Sequence, residues 1–450
     1  MNYSEFVLRK KQLNGMFGFK DDNLPDFLFD FQKSLVDWAL QKGRAAIFAD
    51  TGLGKTAMQL AWADRIVKKT NKKVLLLTPL AVSSQTVKEA EKFGIDAKRS
   101  RDGKPAGDIT VTNYQQLEKF NHNDFTGLVC DESSILKGFN GKLKTDITRF
   151  MVKLPYRLLC TATPSPNDYV ELGTSSEALG DMKFLDMCST FFRDTSNDKN
   201  PQWSTPKWEL KDHAIHDFWR WVVSWARAIR MPSDLGFDDG NFKLPSLHEK
   251  EHCLKVSTPL DGFLFVARAE TLSEQREERK KTVEERCEKV RELVENHESS
   301  VIWAHYNYET DYLEKIIPDS VQVSGSDCDD SKEEKFNSFL SGDVKRIIIK
   351  PKIGAFGLNW QHCNHMTFFP SHSYEQYYQG VRRCYRFGQK REVFVDIITT
   401  EGEEGVSRNI KRKAEDAKKM FQVLVDSMNN ELKHTQKEDQ KKEIILPSFL

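Results

Sequence analysis

The sequence predicts an α/β protein of two tandem units, each a parallel sheet flanked by helices, with a helical insertion between them and a long helix at the end. Three observations predict it. Short apolar runs alternate with helical stretches over 28–172, the same alternation resumes at Val301 and runs to Ile397, and a glycine-rich loop of the phosphate-holding kind directly follows the first apolar run. The length agrees, because 450 residues exceed what one hydrophobic core usually organises.

In the first unit, assigned to 1–175, the runs 45–49, 74–78, 109–112, 128–130 and 157–160 read as strands. They are apolar almost throughout, as strands covered on both faces must be. Polar or glycine-rich residues follow each one, at the carboxyl end where open α/β sheets gather their ligands. Between 176 and 250 the alternation stops and Trp203, Trp208, Trp219, Trp221 and Trp225 appear, which predicts a helical, Trp-rich insertion. Those indoles either fill a small core or stack on bases, and packing is the commoner use at near-helical spacing.

The second unit, 251–400, begins with a charged segment at 273–297 whose Val283, Cys287, Val290 and Val294 share one helical face. Its strands fall at 301–304, 321–323, 346–349, 366–369 and 393–397. Over 401–450, Ile410, Ala414, Ala417, Phe421, Leu424, Met428 and Leu432 recur every three or four residues, the pattern of a helix that braces one lobe. After the charged stretch 433–443, the apolar end 444–450 reads as a packed terminus or a docking peptide.

Composition narrows the functional classes. Hydrophobic residues at 39% and charged residues at 30% describe an ordinary soluble globular chain. No apolar run approaches the ~18–20 residues of a membrane span. Residues 1–15 mix Glu5, Arg9, Lys10 and Lys11 with scattered apolar positions and lack the continuous apolar stretch of a secretory signal, so a cytoplasmic protein is expected. The eight cysteines form no Cys-x-x-Cys pair, which argues against a disulfide framework or a zinc ribbon. The group His362-Cys363-Asn364-His365 lacks a second pair of ligands and reads as structural. Lys plus Arg and Asp plus Glu both total 67, so a polyanion must be held in a local groove rather than by the whole molecule. Lys68, Lys69, Lys72 and Lys73, and Lys98, Arg99, Arg101 and Lys104, are candidates, each equally readable as solvated surface charge.

The strongest chemical signal is Ala49-Asp50-Thr51-Gly52-Leu53-Gly54-Lys55-Thr56, after a strand and before a helical stretch. In that context the backbone amides of Thr51, Gly52, Leu53 and Gly54 close around phosphates, Lys55 neutralises the outer ones, and the Thr56 hydroxyl is placed to ligate magnesium. Ala49 replaces the first glycine of the general pattern. Downstream, Leu128-Val129-Cys130-Asp131-Glu132 delivers two carboxylates at a strand end: Asp131 to hold magnesium, Glu132 to orient and deprotonate water.

Phe31-Gln32 lies ahead of the loop, and further segments sit at matching strand ends: Thr78-Pro79-Leu80 with Ser83, Thr112-Asn113-Tyr114, and Thr161-Ala162-Thr163-Pro164 through Asn167. In the second unit come Lys350-Pro351-Lys352 with Gly354, Gly357, Leu358 and Asn359, then Gln379, Arg383, Arg386, Gly388 and Gln389. Together with the loop and the Asp-Glu pair, they resemble the Swi/Snf-like branch of the superfamily 2 helicases, and in particular compact helicases encoded by bacteriophages, over roughly 28–400.

The resemblance implies two tandem RecA-like lobes, with ATP and Mg2+ as cofactors. It makes Gln32 the reader of adenine, with Gly357 and Gln379 also on the nucleotide side. Thr78, Pro79, Ser83, Thr112, Asn113, Lys350 and Lys352 become contacts to nucleic acid, while Thr161 and Thr163 couple hydrolysis to movement. Arg383 and Arg386, the latter favoured, would bring positive charge to the γ-phosphate when the lobes close. Departures count as well. Ser133 and Ser134 follow the Asp-Glu pair where relatives carry a small residue and then His or Asp, no tryptophan stands near His372, and no remodeler-type insertion fits the second lobe.

The expected function is therefore an ATP-dependent helicase or translocase on DNA, a monomer gripping phosphates and sugars without regard to sequence. A duplex translocase that remodels bound proteins without separating strands is the rival within the class. RNA as the track is disfavoured by the resemblance to DNA motors. A non-hydrolysing switch or scaffold is the rival outside it, disfavoured because Lys55, Asp131, Glu132 and Arg386 are all present. A nuclease lacks a separate carboxylate cluster for its metal.

Overall fold

The computed structural model describes residues 15–137, 141–165, 168–195, 208–254, 279–354, 358–400 and 403–443. The chain divides into two compact units, Met1–Asp239 with Ala417–Leu450, and Gly240–Asp416. No helix among the described residues is long and apolar enough to cross a membrane.

The first unit is built on β1 (Arg44–Ala49), β2 (Val74–Thr78), β3 (Ala97–Arg99), β4 (Ile109–Asn113), β5 (Gly127–Asp131) and β6 (Tyr156–Thr161). A later segment adds the antiparallel pair β7 (Phe192–Asp194) and β8 (Trp208–Leu210), and β9 (Ala226–Ile229). The large sheet runs β3-β4-β2-β5-β6-β1-β9, and its neighbouring strands are parallel. Every residue of β2, β4 and β5 is buried, which matches their unbroken apolar sequence. Parallel pairing brings all carboxyl ends to one edge. Ala49, Thr78, Asn113, Asp131 and Thr161 therefore line that edge, with β6 between the strand that ends in the phosphate loop and the strand that ends in the carboxylates.

The tryptophan segment departs from the expected helical insertion. The helix Ile215–Trp225 is present, but it leads straight into β9, which pairs with β1 and covers what would otherwise be an exposed edge of the sheet. Trp219, Trp221 and Trp225 are buried in the same core as Phe48, Leu75 and Leu128. Their role among the described residues is packing, and Trp203 lies outside those residues. Phe421, Leu424 and Met428, on the terminal helix Glu404–Glu443, join that core. The apolar end 444–450 also lies outside the described residues.

The second unit has β10 (Leu247–Leu254), β11 (Ser300–Trp303), β12 (Ser320–Val323), β13 (Arg346–Ile349), β14 (His365–Phe368) and β15 (Val393–Thr400) in the order β10-β15-β14-β11-β13-β12, all parallel. The helix Val283–Glu295 buries Cys287, Val290 and Val294, the face read from the sequence. Two buried ion pairs brace the unit: Arg286 with Glu309 at 3.0 Å, and Arg279 with Glu403. Inside this sheet Asp396 holds His252 at 2.7 Å and His365, the first residue of β14, at 3.0 Å; Ser300 bonds the far nitrogen of His365 at 2.7 Å, and His297 stacks on the His365 ring.

Two measurable consequences follow from this packing. Trp225→Ala opens a cavity against Phe48 and Trp221 and is expected to lower the stability of the first unit by about 3–5 kcal/mol in chemical denaturation. In the second unit, burial pushes the His297 imidazole down to about 4, helped by neighbouring His365, and burial with the Arg279 charge does the same to His305. Unfolded histidine takes its proton near ~6.5, so the unfolded chain binds more protons between those values. Stability that is fully present above about pH 6.5 should thus drain away as pH falls towards 4, and the denaturation midpoint of His297→Gln should depend less steeply on pH over that interval.

Candidate nucleotide site

The phosphate loop owes its shape to two glycines in the left-handed region, Gly52 at φ 92° and Gly54 at φ 76°. A side chain at Gly54 would have no room, since its Cβ would meet Gln32 Nε2 at 2.3 Å. The helix Lys55–Thr70 starts directly after, so loop amides and helix amino terminus face the same small volume, an arrangement suited to phosphate. Lys55 Nζ is folded onto the loop and donates to the carbonyls of Ala49 at 2.9 Å and Asp50 at 3.4 Å. Thr51 N donates to the Asp50 carboxylate at 2.6 Å. From the far side, Asp50 N donates to Ile229 O at 2.9 Å, so β9 backs the loop. Thr56 is the second residue of the helix and half-buried.

Gln32 is 2% exposed, and both ends of its amide are engaged. Nε2 donates to Leu53 O at 2.8 Å and Oε1 accepts from Phe29 N at 3.0 Å. In this conformation the residue expected to read adenine braces the phosphate loop from behind.

Asp131 and Glu132, at the end of β5, are buried side by side. Burial pushes the Asp131 carboxyl up to about 6 and the Glu132 charge pushes the same way, while a hydrogen bond from Gln59 and the charge of Lys55 pull it back. Gln59 Nε2 donates to Asp131 Oδ1 at 2.7 Å. Glu132 carries φ 55°, a conformation that a non-glycine residue keeps only when its surroundings hold it. Thr161 Oγ1 lies 3.4 Å from Glu132 Oε2 and accepts from Thr163 N at 3.0 Å, so the segment expected to couple hydrolysis to movement touches the expected base. Asn167 lies outside the described residues.

The expected nucleic-acid contacts of this unit are largely internal. The Thr78 and Ser83 hydroxyls, both fully buried, bond each other at 2.8 Å, and Thr112 Oγ1 donates to Ser100 O at 2.8 Å. Asn113 is 7% exposed, whereas Pro79 is half-exposed. These hydroxyls are engaged in bonds within the strand ends.

In the second unit, Lys352 is exposed, and Lys350 Nζ donates to Asn307 Oδ1. Gly357 lies outside the described residues. Gln379 and Arg383 are buried, and Arg383 donates to the carbonyls of Gln379 at 2.8 Å and Leu358 at 3.1 Å. Arg386 is half-buried and reaches Leu358 O at 3.3 Å. Gln389 Nε2 faces three carbonyls, those of Gln361 and Cys363 at 3.0 Å and of Cys384 at 3.3 Å.

Residues 27–165 match the family described as type III restriction enzyme, res subunit, and residues 285–388 match the helicase conserved C-terminal domain. The chain belongs to the superfamily 2 helicases. One solved structure similar to it is the Sulfolobus solfataricus SWI2/SNF2 ATPase core in complex with dsDNA, at 17% sequence identity and a TM-score of 0.41, over 86% of this chain and 90% of that one. No curated protein matches the sequence.

Within this superfamily 2 helicase, sequence reasoning missed Gln59, which orients Asp131. One signal for it existed: a glutamine one turn after Lys55, with Trp62 and Ala63 one turn further along the same helix face, must find a partner if that face is buried, and in the structure it is 1% exposed. The two arginines also separate into different duties. Arg383→Ala takes the side-chain donor from the Gln379 carbonyl and the nearer of two donors from Leu358 O, and is expected to lower the stability of the second unit by about 1–3 kcal/mol in urea denaturation, more than Arg386→Ala, whose side chain is less buried.

Proposed function

We propose that the chain is an ATP-driven motor of the Swi/Snf-like branch that moves along DNA. The observation that carries this reading is the buried pair Asp131 and Glu132, within the influence of Lys55 and beside the phosphate loop. A buried carboxylate with a second one next to it calls for a cation, and among the described residues no three His, Cys, Asp or Glu side chains converge to hold a metal alone. That donor set fits magnesium, which enters with a nucleotide and keeps phosphate oxygens and water among its ligands. Asp131 and Thr56 would hold it, and it would neutralise charge on the phosphates.

Lys55 exchanges its loop carbonyls for the outer phosphates, a short move of a flexible ammonium. Glu132 orients the attacking water and takes its proton, with Thr161 touching the carboxylate that does so. Arg386 is the proposed source of positive charge for the transition state, because Arg383 already serves the interior of its unit. DNA as the track rests on the motif resemblance, with Lys350 and Lys352 as the phosphate contacts on the second unit.

ATP hydrolysis measured alone and with single-stranded DNA, duplex, fork and RNA tests the reading. Stimulation by DNA is expected, falling as salt rises. Lys55→Ala and Glu132→Gln should each reduce the stimulated rate by roughly 10²–10⁴-fold, and parental rates in either variant would discard these roles. Fork unwinding beside triplex displacement separates strand separation from translocation on intact duplex.

A further inference from the structure

Tyr114 directly follows β4 and is 3% exposed, packed in the first unit's core with Leu77, Leu117 and Leu128. Its hydroxyl donates to the main-chain carbonyl of Asp131. β4 and β5 are not neighbours, because β2 runs between them. The bond therefore crosses the carboxyl end of β2, where Thr78 and Pro79 leave the sheet.

The carbonyl it takes belongs to the peptide that joins the two carboxylates. The φ of Glu132, 55°, is a rotation measured from that peptide plane, so the group that holds the plane holds the direction in which the Glu132 side chain sets out. Among the described residues, the N–H of the same peptide faces the Asp131 carboxylate, Ile135 N donates to Glu132 O at 3.2 Å on the far side of the Cα, and the Thr161 hydroxyl is 3.4 Å from the Glu132 carboxylate. Burial keeps the Tyr114 phenol well above its ordinary range, so it remains a donor across the working pH. Beside it, Asn113 carries a buried side-chain oxygen without a hydrogen-bond partner among the described residues, leaving the end of β4 able to take a new contact.

We infer that Tyr114 is a positioning residue for Glu132, and that it relays the state of the Thr112-Asn113 strand end to the carboxylate that orients water. The inference rests on the reading of Glu132 as that base. It gives the motor a second link, besides Thr161, between a strand end and hydrolysis, and it needs only the small displacement that a hydrogen bond transmits.

The test is Tyr114→Phe in the full chain, which removes one oxygen and leaves the ring in the core. Three quantities are measured: the affinity for Mg–ATP, hydrolysis with and without a poly(dT) strand or a blunt duplex, and amide exchange across 131–135. The expected result is an unchanged thermal midpoint and an Mg–ATP affinity within about twofold of the parent. The stimulated kcat should fall about tenfold with little change in KM, and exchange at Glu132 should quicken. A stimulated kcat within about twofold of the parent, with exchange unaltered, makes Tyr114 a packing residue and overturns the inference. If the parent itself shows no stimulated hydrolysis, the motor reading fails. Exchange across 131–135 then decides by itself whether Tyr114 holds the peptide.

Discussion

Two carboxylates buried next to each other at the edge of a parallel sheet are the constraint around which the first unit is arranged. An isolated buried carboxylate would take up a proton rather than remain charged, and a second one beside it strengthens that tendency. Asp131 escapes full neutralisation because a glutamine donates to it and a lysine stands near, and both come from the helix that the phosphate loop begins. The loop, the helix and β5 thus form one electrostatic unit. That explains why β6, which separates the two strands, ends in the threonine that reaches Glu132. The site is poised rather than relaxed: its lysine rests on main-chain carbonyls, its glutamate is held in a left-handed conformation, and burial pushes its aspartate upward from the ordinary carboxylate range.

Much of the fold was legible because its signals are local. The apolar runs at 74–78 and 346–349 are β2 and β13 residue for residue, since an unbroken apolar stretch bounded by polar residues has little else to become in a parallel sheet. β9 was not legible: Ala226-Arg227-Ala228-Ile229 is too short to show a period, and it follows a helix whose aromatic pattern dominates the segment. β10 was hidden for the opposite reason. It is an edge strand whose charged residues face solvent, as edges require, and its sequence reads as loop. The same division holds in the site. Lys55, Asp131 and Glu132 announce themselves through neighbours in sequence, while Gln59 and Tyr114 act on Asp131 across separations of 72 and 17 residues, which no local pattern encodes.

The motif near the end of the second unit shows a different limit. Its spacing singled out candidate residues but could not say which serve the architecture. Arg383 and Gln389 tie the segment to carbonyls of the preceding loop, and Gly388, at φ 90°, lies against Gln361. A sequence pattern records both the groups that do chemistry and those that hold them, and only burial with hydrogen bonding separates the two. Arg386 is less buried than Arg383 and shares the Leu358 carbonyl with it.

The departure at the start of the phosphate loop is resolved by the strand that sequence reasoning overlooked. Ala49 stands where the general pattern has its first glycine, yet the structure places it as the last residue of β1, fully buried and paired in register with Ile229 of β9. An extended residue in a sheet has no use for the freedom of glycine, and the turn that needs left-handed backbone begins only at Gly52. The next residue, Asp50, then donates its N–H to Ile229, so the loop is pinned at its root by the aromatic segment before it turns. That contact gives Trp219, Trp221 and Trp225, packed in the core on which β9 lies, a bearing on the phosphate loop: the rigidity of the loop's first residue is the rigidity of that core.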